Sequence, residues 1–370
     1  MLIHLGRSMQ NIRAEVLLPT QELRADIPFF TKTLGMRMDE IFPADDPTEA
    51  VFTGHGLRVR IRKGADTPPG VIRILANDPI LVAGGQMELT APNGTRIEIG
   101  QLDPPVVMPT TEHAFVVRRL ADQAPWIVGR AGMHYRDLIP SRLGGSIIAS
   151  HIRIPDGGPV PDMVHYHSVG FQLIFCYKGW VDLVYEDQGP PFRLHAGNCV
   201  IQPPEIRHRV LYASDNIEVI EIGVPAEHVT TIDHDMELPT ETLKPEREFD
   251  GQTFVHHLAD GAQWTPHRLA GFEARDTTIT DNTKGVASVY VVRPNGAAPE
   301  WAAHTADIQF NFVMDGTVTL HGEDVDAVEL EAGDAFVIPP GMQTCLKNPS
   351  TNLELLEVNL PGVFETTQAS

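Results

Sequence analysis

The most informative segment for predicting the fold is HYHSVGFQLIFCYKGW, residues 165–180, near the middle of the 370-residue chain. Two histidines one residue apart precede an apolar, aromatic run that ends in Gly-Trp. Successive side chains on a β-strand point to opposite faces, so His165 and His167 share one face. Gln172 follows across a short turn, and His208 ends the later segment QPPEIRH. Three imidazoles and one amide oxygen can therefore converge from neighbouring strands, and such ligands suit Fe, Mn, Ni, Cu or Zn.

The second half of the chain repeats the segment that contains these histidines. HSVGFQLIFCYKGWVDLVYED at 167 matches HTADIQFNFVMDGTVTLHGED at 304, and HAGNCVIQPPEIRH at 195 matches EAGDAFVIPPGMQT at 331. The offset is 137 both between His167 and His304 and between Gln172 and Gln309. Such collinear repetition predicts two copies of one fold. Within each copy, short apolar alternations are separated by Gly, Pro, Asp and Asn, a pattern typical of an all-β barrel or sandwich.

The motifs of the first copy resemble those of the cupin superfamily, whose pattern is G-x-n-H-x-H-x-n-E-x-n-G followed by G-x5-P-x-G-x2-H. GGPVPDMVHYHSVGFQLIFCYKG and GNCVIQPPEIRH fit this pattern. The resemblance implies a mainly β protein with two tandem cupin barrels, at residues 113–238 and 250–363. It also implies that His165, His167 and His208 bind a metal. Two residues depart from the pattern, since Gln172 stands in place of the usual Glu and Glu205 in place of a Gly.

The second copy has lost most of the candidate ligands. The matching positions are Ala302, His304, Gln309 and Thr344. One imidazole and one amide hold a transition metal poorly, so we expect the second barrel to be degenerate and metal-free. One active and one degenerate barrel resembles the arrangement in gentisate- and quercetinase-type dioxygenases.

The predicted ligand set is neutral, which determines what else the site needs. A divalent metal keeps its full charge there and favours a substrate that chelates as an anion. Gln172 cannot act as a base, so a base has to come from a side chain outside the ligand set. We expect His151, Arg153 and Tyr212 to face the metal as catalytic residues, with outward-facing side chains as the alternative. Metal identity stays open: one divalent transition metal per chain is expected, Fe(II) in preference to Mn(II), Ni(II), Zn(II) or Cu(II).

A different pattern precedes the repeats, in residues 1–108. IRAEVLL alternates, QELRADIPFFTKTLGM has helical spacing and stops at Gly35, and RMDEIF, EAVFTG and LRVRIRK follow as short strands. This order, with APNGTRIEI later, resembles the βαβββ module of the glyoxalase superfamily and predicts a small α+β domain. Glu15 and Glu98 occupy strand positions where that family often has ligands. No His or Gln accompanies them, so surface carboxylates are expected. The domain is interpreted as structural or as a lid.

Composition restricts the partners and the location. The formal charge is −21, which disfavours nucleic acid. The N-terminal sequence predicts no signal peptide, and no stretch is long enough for a membrane span. The three widely spaced cysteines predict buried free thiols in a reducing compartment. We therefore expect a cytoplasmic protein, homo-oligomeric, with a small-molecule substrate and without nucleic-acid or membrane partners.

Three functions fit the sequence. The first is an Fe(II) dioxygenase that cleaves a C–C bond in a small chelating substrate such as a diketone, an enediol or an aromatic diol. The second is a non-redox metal-dependent isomerase, lyase or hydrolase acting on a sugar acid or similar compound. The third is a small-molecule binding or sensor protein.

Overall fold

The computed structural model describes residues 13–368, apart from the side chain of Arg130. The fold is mainly β, with 46% of residues in strands and 8% in helices. Two compact units divide between Pro105 and Val106. In the described part of the chain, no helix is long and apolar enough to cross a membrane.

The first unit follows the predicted order of strand, helix and three strands. Its helix is α1 (Leu23–Pro28), which continues as a π-helical turn, Phe29–Thr33. Gly35 follows with a φ of 69°, a left-handed conformation that ends the helical segment where the sequence predicts. The strands are β1 (Val16–Thr20), β2 (Arg37–Phe42), β3 (Glu49–Gly54), β4 (Leu57–Lys63), β5 (Val71–Ala76), β6 (Glu88–Thr90) and β7 (Arg96–Gln101).

The described residues of this unit form two sheets. The first has the order β1-β4-β3-β2, with β1 parallel to β4, and the second has the order β5-β7-β6. The first sheet packs on the helix through Phe30 and Phe52, whose rings stack at 5.3 Å. Glu15 binds both Arg58 and Arg60, at 2.7 and 2.6 Å, and Arg60 and Arg58 lower the pKa of Glu15 to about 2. Glu15 is therefore a partner in a charge network.

The second unit contains the two repeated copies, and each forms a barrel of two facing sheets. The strands up to the end of the first copy are β8 (Val116–Arg118), β9 (Ile127–Val128), β10 (His134–Asp137), β11 (Ile148–Ile154), β12 (Gly158–Pro159), β13 (His165–His167), β14 (Phe171–Lys178), β15 (Trp180–Tyr185), β16 (Phe192–His195), β17 (Cys199–Ile201), β18 (His208–Ala213), β19 (Ile217–Val224) and β20 (Thr230–Ile232). The remaining elements are β21 (Glu248–Phe249), β22 (Gln252–Thr253), β23 (Val255–His257), β24 (Trp264–Pro266), β25 (Phe272–Asp276), α2 (Ile279–Asn282), β26 (Ser288–Pro294), β27 (Ala302–His304), β28 (Ile308–Asp315), β29 (Thr317–Gly322), β30 (Val325–Glu331), β31 (Ala335–Val337), β32 (Thr344–Lys347), β33 (Glu354–Leu360) and β34 (Thr366–Gln368).

Equivalent strands occupy equivalent places in the two barrels. The first barrel has the sheet orders β23-β17-β14-β19-β11-β10-β9 and β16-β15-β18-β13-β20. The second barrel, written in the same direction, has β8-β31-β28-β33-β26-β25-β24 and β30-β29-β32-β27-β34. The repeat in the sequence therefore corresponds to a repeat in topology, as two tandem cupin barrels require.

The barrels exchange strands at their edges. β8 precedes the first barrel in the chain but pairs with β31 of the second, and β23 precedes the second barrel but pairs with β17 of the first. Apolar residues of both barrels also belong to one buried core, among them Phe175, Ile220, Phe310 and Val358. The two barrels therefore share their stabilising contacts.

The three cysteines, Cys176, Cys199 and Cys345, are free and buried, which confirms the sequence prediction. Burial raises the pKa of Cys176 and Cys199 to about 12, so both thiols stay protonated near neutral pH.

Candidate metal centre

Three imidazoles meet inside the first barrel. His165 and His167 lie on β13, and His208 begins β18, where it pairs directly with His165. The ring centroids of His165 and His208 are 4.2 Å apart, and those of His167 and His208 are 5.3 Å apart. One nitrogen from each ring lies within 4.8 Å of the other two, and all three residues are buried. In residues 13–368, no other group of His, Cys, Asp or Glu side chains converges in this way.

Hydrogen bonds to the Nδ1 atoms determine the orientation of the rings and which nitrogen is available to a metal. Nδ1 of His165 donates to the carbonyl oxygen of Met163 at 2.8 Å, and Nδ1 of His208 donates to that of Ile206 at 2.9 Å. A carbonyl oxygen can only accept, so in the neutral form of each ring Nε2 carries the lone pair that a metal needs. Nδ1 of His167 lies 2.9 Å from the hydroxyl oxygen of Thr230 on β20.

Replacing Thr230 with valine should weaken metal binding without changing the ligands. Valine keeps the shape of threonine but removes the hydroxyl group that orients His167. Loss of such an outer partner typically lowers metal affinity about 10- to 100-fold. Competition with a chromophoric chelator measures the effect, and Thr231→Val on the same strand is the control. Equal affinities in wild type and Thr230→Val would contradict this role.

Gln172 lies on β14, two residues before the cavity-lining Ile174 and therefore on the same face of the strand. Its amide nitrogen donates to a carboxylate oxygen of Glu221 at 2.7 Å. Its amide oxygen is buried and has no hydrogen-bond partner, although a buried acceptor normally has one. A cation is one partner that would satisfy this oxygen. The buried triad and this oxygen together fit a divalent metal.

Glu221 lines the cavity and contacts Gln172, but the sequence prediction did not include it. It lies on β19 and pairs with Ile174, so its side chain faces the same cavity as the triad. Strand parity was the available signal, because Ile217, Val219 and Glu221 alternate on one face. The sequence predicts neutral ligands only. The structure adds a carboxylate directly behind the Gln172 amide.

The triad lines a cavity whose walls are mostly apolar. Apart from the triad, the polar lining residues are Tyr135, Gln202 and Glu221. The apolar lining residues are Met133, Ile152, Ile154, Ile174, Val181, Leu183, Val210, Ile217 and Val219. No lysine or arginine is among the lining side chains that the structure describes.

His151 and Arg153 do not face this cavity, so the prediction that they face the metal is wrong. Both lie on β11, where Ile152 and Ile154 line the cavity and the alternate side chains lie on the opposite face. There His151 contacts Phe312 of the second barrel, and Arg153 donates to Asn216 at 2.6 Å. Nε2 of His151 donates to Glu218 at 2.7 Å, while Nδ1 accepts from Arg136 at 3.0 Å. Burial lowers the pKa of His151, which agrees with this neutral tautomer.

Tyr212 is also misplaced by the sequence prediction. It shares the parity of His208, but the pairing of β15 with β18 shifts by one residue between Asp182 and Leu183. Such a bulge reverses which side chains point inward beyond it. Tyr212 therefore lies outside, 43% exposed, and stacks on Trp180.

Glu205, the second departure from the cupin pattern, has a φ of 62°. The backbone here adopts the left-handed conformation that the usual Gly allows, in spite of the larger side chain.

The equivalent positions of the second barrel are used differently. Nε2 of His304 donates to the carbonyl oxygen of Ile338 at 3.1 Å, and burial lowers its pKa to about 4. Gln309 donates to Asn359 at 3.0 Å, and Asn359 in turn donates to Glu357. Arg268 pairs with this buried Glu357 at 2.7 Å. A hydrogen-bonded polar network therefore occupies the place of the triad.

Comparison with known proteins supports the cupin fold. A family model described as a cupin domain matches residues 288–359, which lie in the second barrel. A salicylate 1,2-dioxygenase from Pseudaminobacter salicylatoxidans is similar in structure, with a TM-score of 0.51 and 16% identity, over 71% of this chain and 90% of the dioxygenase. The Lactobacillus farciminis oxalate decarboxylase in its formate complex has a TM-score of 0.52 and 13% identity, over 71% of this chain and 91% of the decarboxylase. No curated protein matches the sequence.

These similarities define the chain as a protein with two tandem cupin barrels. At such low identities the likeness concerns the fold alone.

Proposed function

We propose that the protein is a mononuclear metal-dependent enzyme, and that its activity is an Fe(II)-dependent dioxygenation that cleaves a C–C bond in a small chelating substrate. A diketone, an enediol or an aromatic diol is the expected substrate. The observation that carries this proposal is the apolar cavity that adjoins the buried triad. When bound, ferrous iron would supply the redox chemistry with O₂ that side chains cannot perform.

The residues of the first barrel have separate roles in this proposal. His165, His167 and His208 would hold the metal, with the Gln172 amide oxygen as a fourth ligand. These four side chains would leave the cavity side of the metal open to a chelating substrate. Apolar side chains such as Ile174 and Val210 would hold the body of the substrate and exclude water from it.

A second candidate is a non-redox isomerase, lyase or hydrolase, and Glu221 is the observation that favours it. A carboxylate beside the metal could accept a proton, as such reactions require. The sugar acid considered from the sequence fits less well, because His151 and Arg153 lie outside the cavity.

Oxygen consumption separates the two candidates. Protein loaded with Fe(II) should consume O₂ when acetylacetone or catechol is added, and the products should show C–C cleavage. Protein loaded with Zn(II) should consume none. Full iron occupancy and bound chelator without O₂ uptake would reject the dioxygenase and leave the non-redox enzyme.

We also propose that the N-terminal unit is a glyoxalase-like module with a structural role. Its order of elements supports the likeness, and the ion pairs of Glu15 with two arginines argue against Glu15 as a ligand.

A further inference from the structure

We propose that Gln202 is a specificity-determining residue of the first barrel, and that it recognises a chelating ligand with a third oxygen atom beside its two chelating oxygens. The inference rests on the proposed function, because it assumes a ligand that chelates a metal at the triad. It deepens that proposal, since it separates chelators with a further hydroxyl group from simple diketones and diols.

The side chain of Gln202 is a buried amide in a mostly apolar cavity wall. It is 5% exposed and lines the cavity together with apolar residues such as Val210 and Val219. Among the described residues, its only side-chain hydrogen bond is to Tyr185, where the amide nitrogen donates to the hydroxyl oxygen at 2.9 Å. A primary amide offers two N–H donors and an acceptor oxygen, so most of this capacity is left over. Because a buried polar group without a partner is costly, a ligand that pairs with Gln202 gains affinity over one that does not.

Tyr185 holds the amide of Gln202 in place. It is the last residue of β15, is 1% exposed, and stacks on the ring of His208 with the centroids 5.5 Å apart and the planes at 25°. The ring of Phe254 packs against it at 4.6 Å. The hydroxyl group that binds Gln202 therefore belongs to a tightly packed ring. An amide that is already held loses little side-chain entropy when a ligand binds.

Gln202 lies close to two of the candidate metal ligands. Its backbone N–H donates to the carbonyl oxygen of Gln172 at 2.9 Å, and its amide contacts the tyrosine that stacks on His208. A ligand group that meets Gln202 is therefore next to the chelating atoms and not at the far end of the ligand. A hydroxyl group suits this position, because it both donates and accepts hydrogen bonds.

Catechol and pyrogallol are matched probes for this inference. Both chelate through adjacent hydroxyl groups, but pyrogallol carries one further hydroxyl beside them. Isothermal titration of the Zn(II)-loaded full-length protein, without oxygen, would measure both affinities in wild type and in Gln202→Leu. The affinity for pyrogallol relative to that for catechol should fall about tenfold in the variant, as expected for the loss of one hydrogen bond. Zinc content, measured in parallel, should stay near one per chain.

A second substitution tests Tyr185 as a positioning residue. Tyr185→Phe keeps the ring on His208 but removes the hydroxyl group that holds the amide. It should lower the same affinity ratio about threefold in wild type and have no further effect in Gln202→Leu, because it acts only through Gln202. Tyr212→Phe makes the same change on the outside of the barrel and should leave the ratio unchanged.

Three results would contradict the inference. Equal changes in the two affinities in Gln202→Leu, or no change, would overturn the selectivity but leave the proposed function intact. A further effect of Tyr185→Phe in the Gln202→Leu background would overturn its role through Gln202. Failure of both ligands to bind the zinc-loaded wild type would reject the chelating site on which the inference and the proposed function both rest.

Discussion

Replacing His208 with alanine is expected to abolish stoichiometric metal binding. The substitution removes one of three imidazoles that meet within 4.8 Å. Loss of a mere outer partner of a ligand costs about 10- to 100-fold in metal affinity, so loss of the ligand itself should cost more than about 100-fold. Elemental analysis after dialysis against a weak chelator should find about one metal per chain in wild type and almost none in the variant.

The second barrel provides the control for this experiment. His304 is the repeat equivalent of His167, it is buried, and it donates to a backbone carbonyl. His304→Ala removes a histidine from the same chain without touching the triad, so its metal content should match that of wild type. Metal retained in His208→Ala, or lost only in His304→Ala, would place the metal elsewhere.

Among the substitutions proposed for this protein, Arg268→Met is expected to lower the free energy of unfolding most. Glu357 is 2% exposed and depends on Arg268 for charge balance. Breaking a buried pair from one side typically costs about 3–5 kcal/mol, because the remaining charge is buried without compensation. Denaturant unfolding should show a decrease of this size in the free energy of unfolding. Arg96→Ala, which breaks the exposed pair with Glu98, should cost about 0–1 kcal/mol.

The pH dependence of stability gives a second measurement of the same pair. Burial opposes the ionisation of Glu357, but Arg268 and His267 outweigh it and hold its pKa well below the usual range. Because the pKa of Glu357 is lower in the folded than in the unfolded state, its ionisation stabilises the fold. This stabilisation is complete above the unfolded pKa of about 4.3 and is lost as the pH falls from there towards the folded pKa. Wild type should therefore lose stability in acid, and Arg268→Met should lose less. Parallel losses would show that Arg268 does not hold the Glu357 charge.

The fold could be predicted because several patterns in the sequence agree. The HxH strand, the glycine and proline punctuation and the repeat at offset 137 all indicate two β-barrels, and the structure has them. The triad was predictable for the same reason, because strand parity determines that His165 and His167 share a face. Strand alternation and the repeat of one segment can both be recognised from the sequence without knowledge of tertiary contacts.

The residues around the triad were harder to predict because their placement depends on tertiary contacts. The parity of β11 shows that His151 and Arg153 share a face, but not that this face points away from the cavity. The bulge that turns Tyr212 outward has no sequence signal. The pairing of β8 and β23 with the other barrel's sheet is likewise a long-range contact.

Anomalous X-ray diffraction from crystals of the metal-loaded protein would locate the metal. We expect one strong anomalous peak per chain, at bonding distance from His165, His167 and His208 and close to the amide oxygen of Gln172. We expect no peak at His304 in the second barrel. A fully loaded protein with no peak at the triad, or with its peak in the second barrel, would show that the triad is not the metal site.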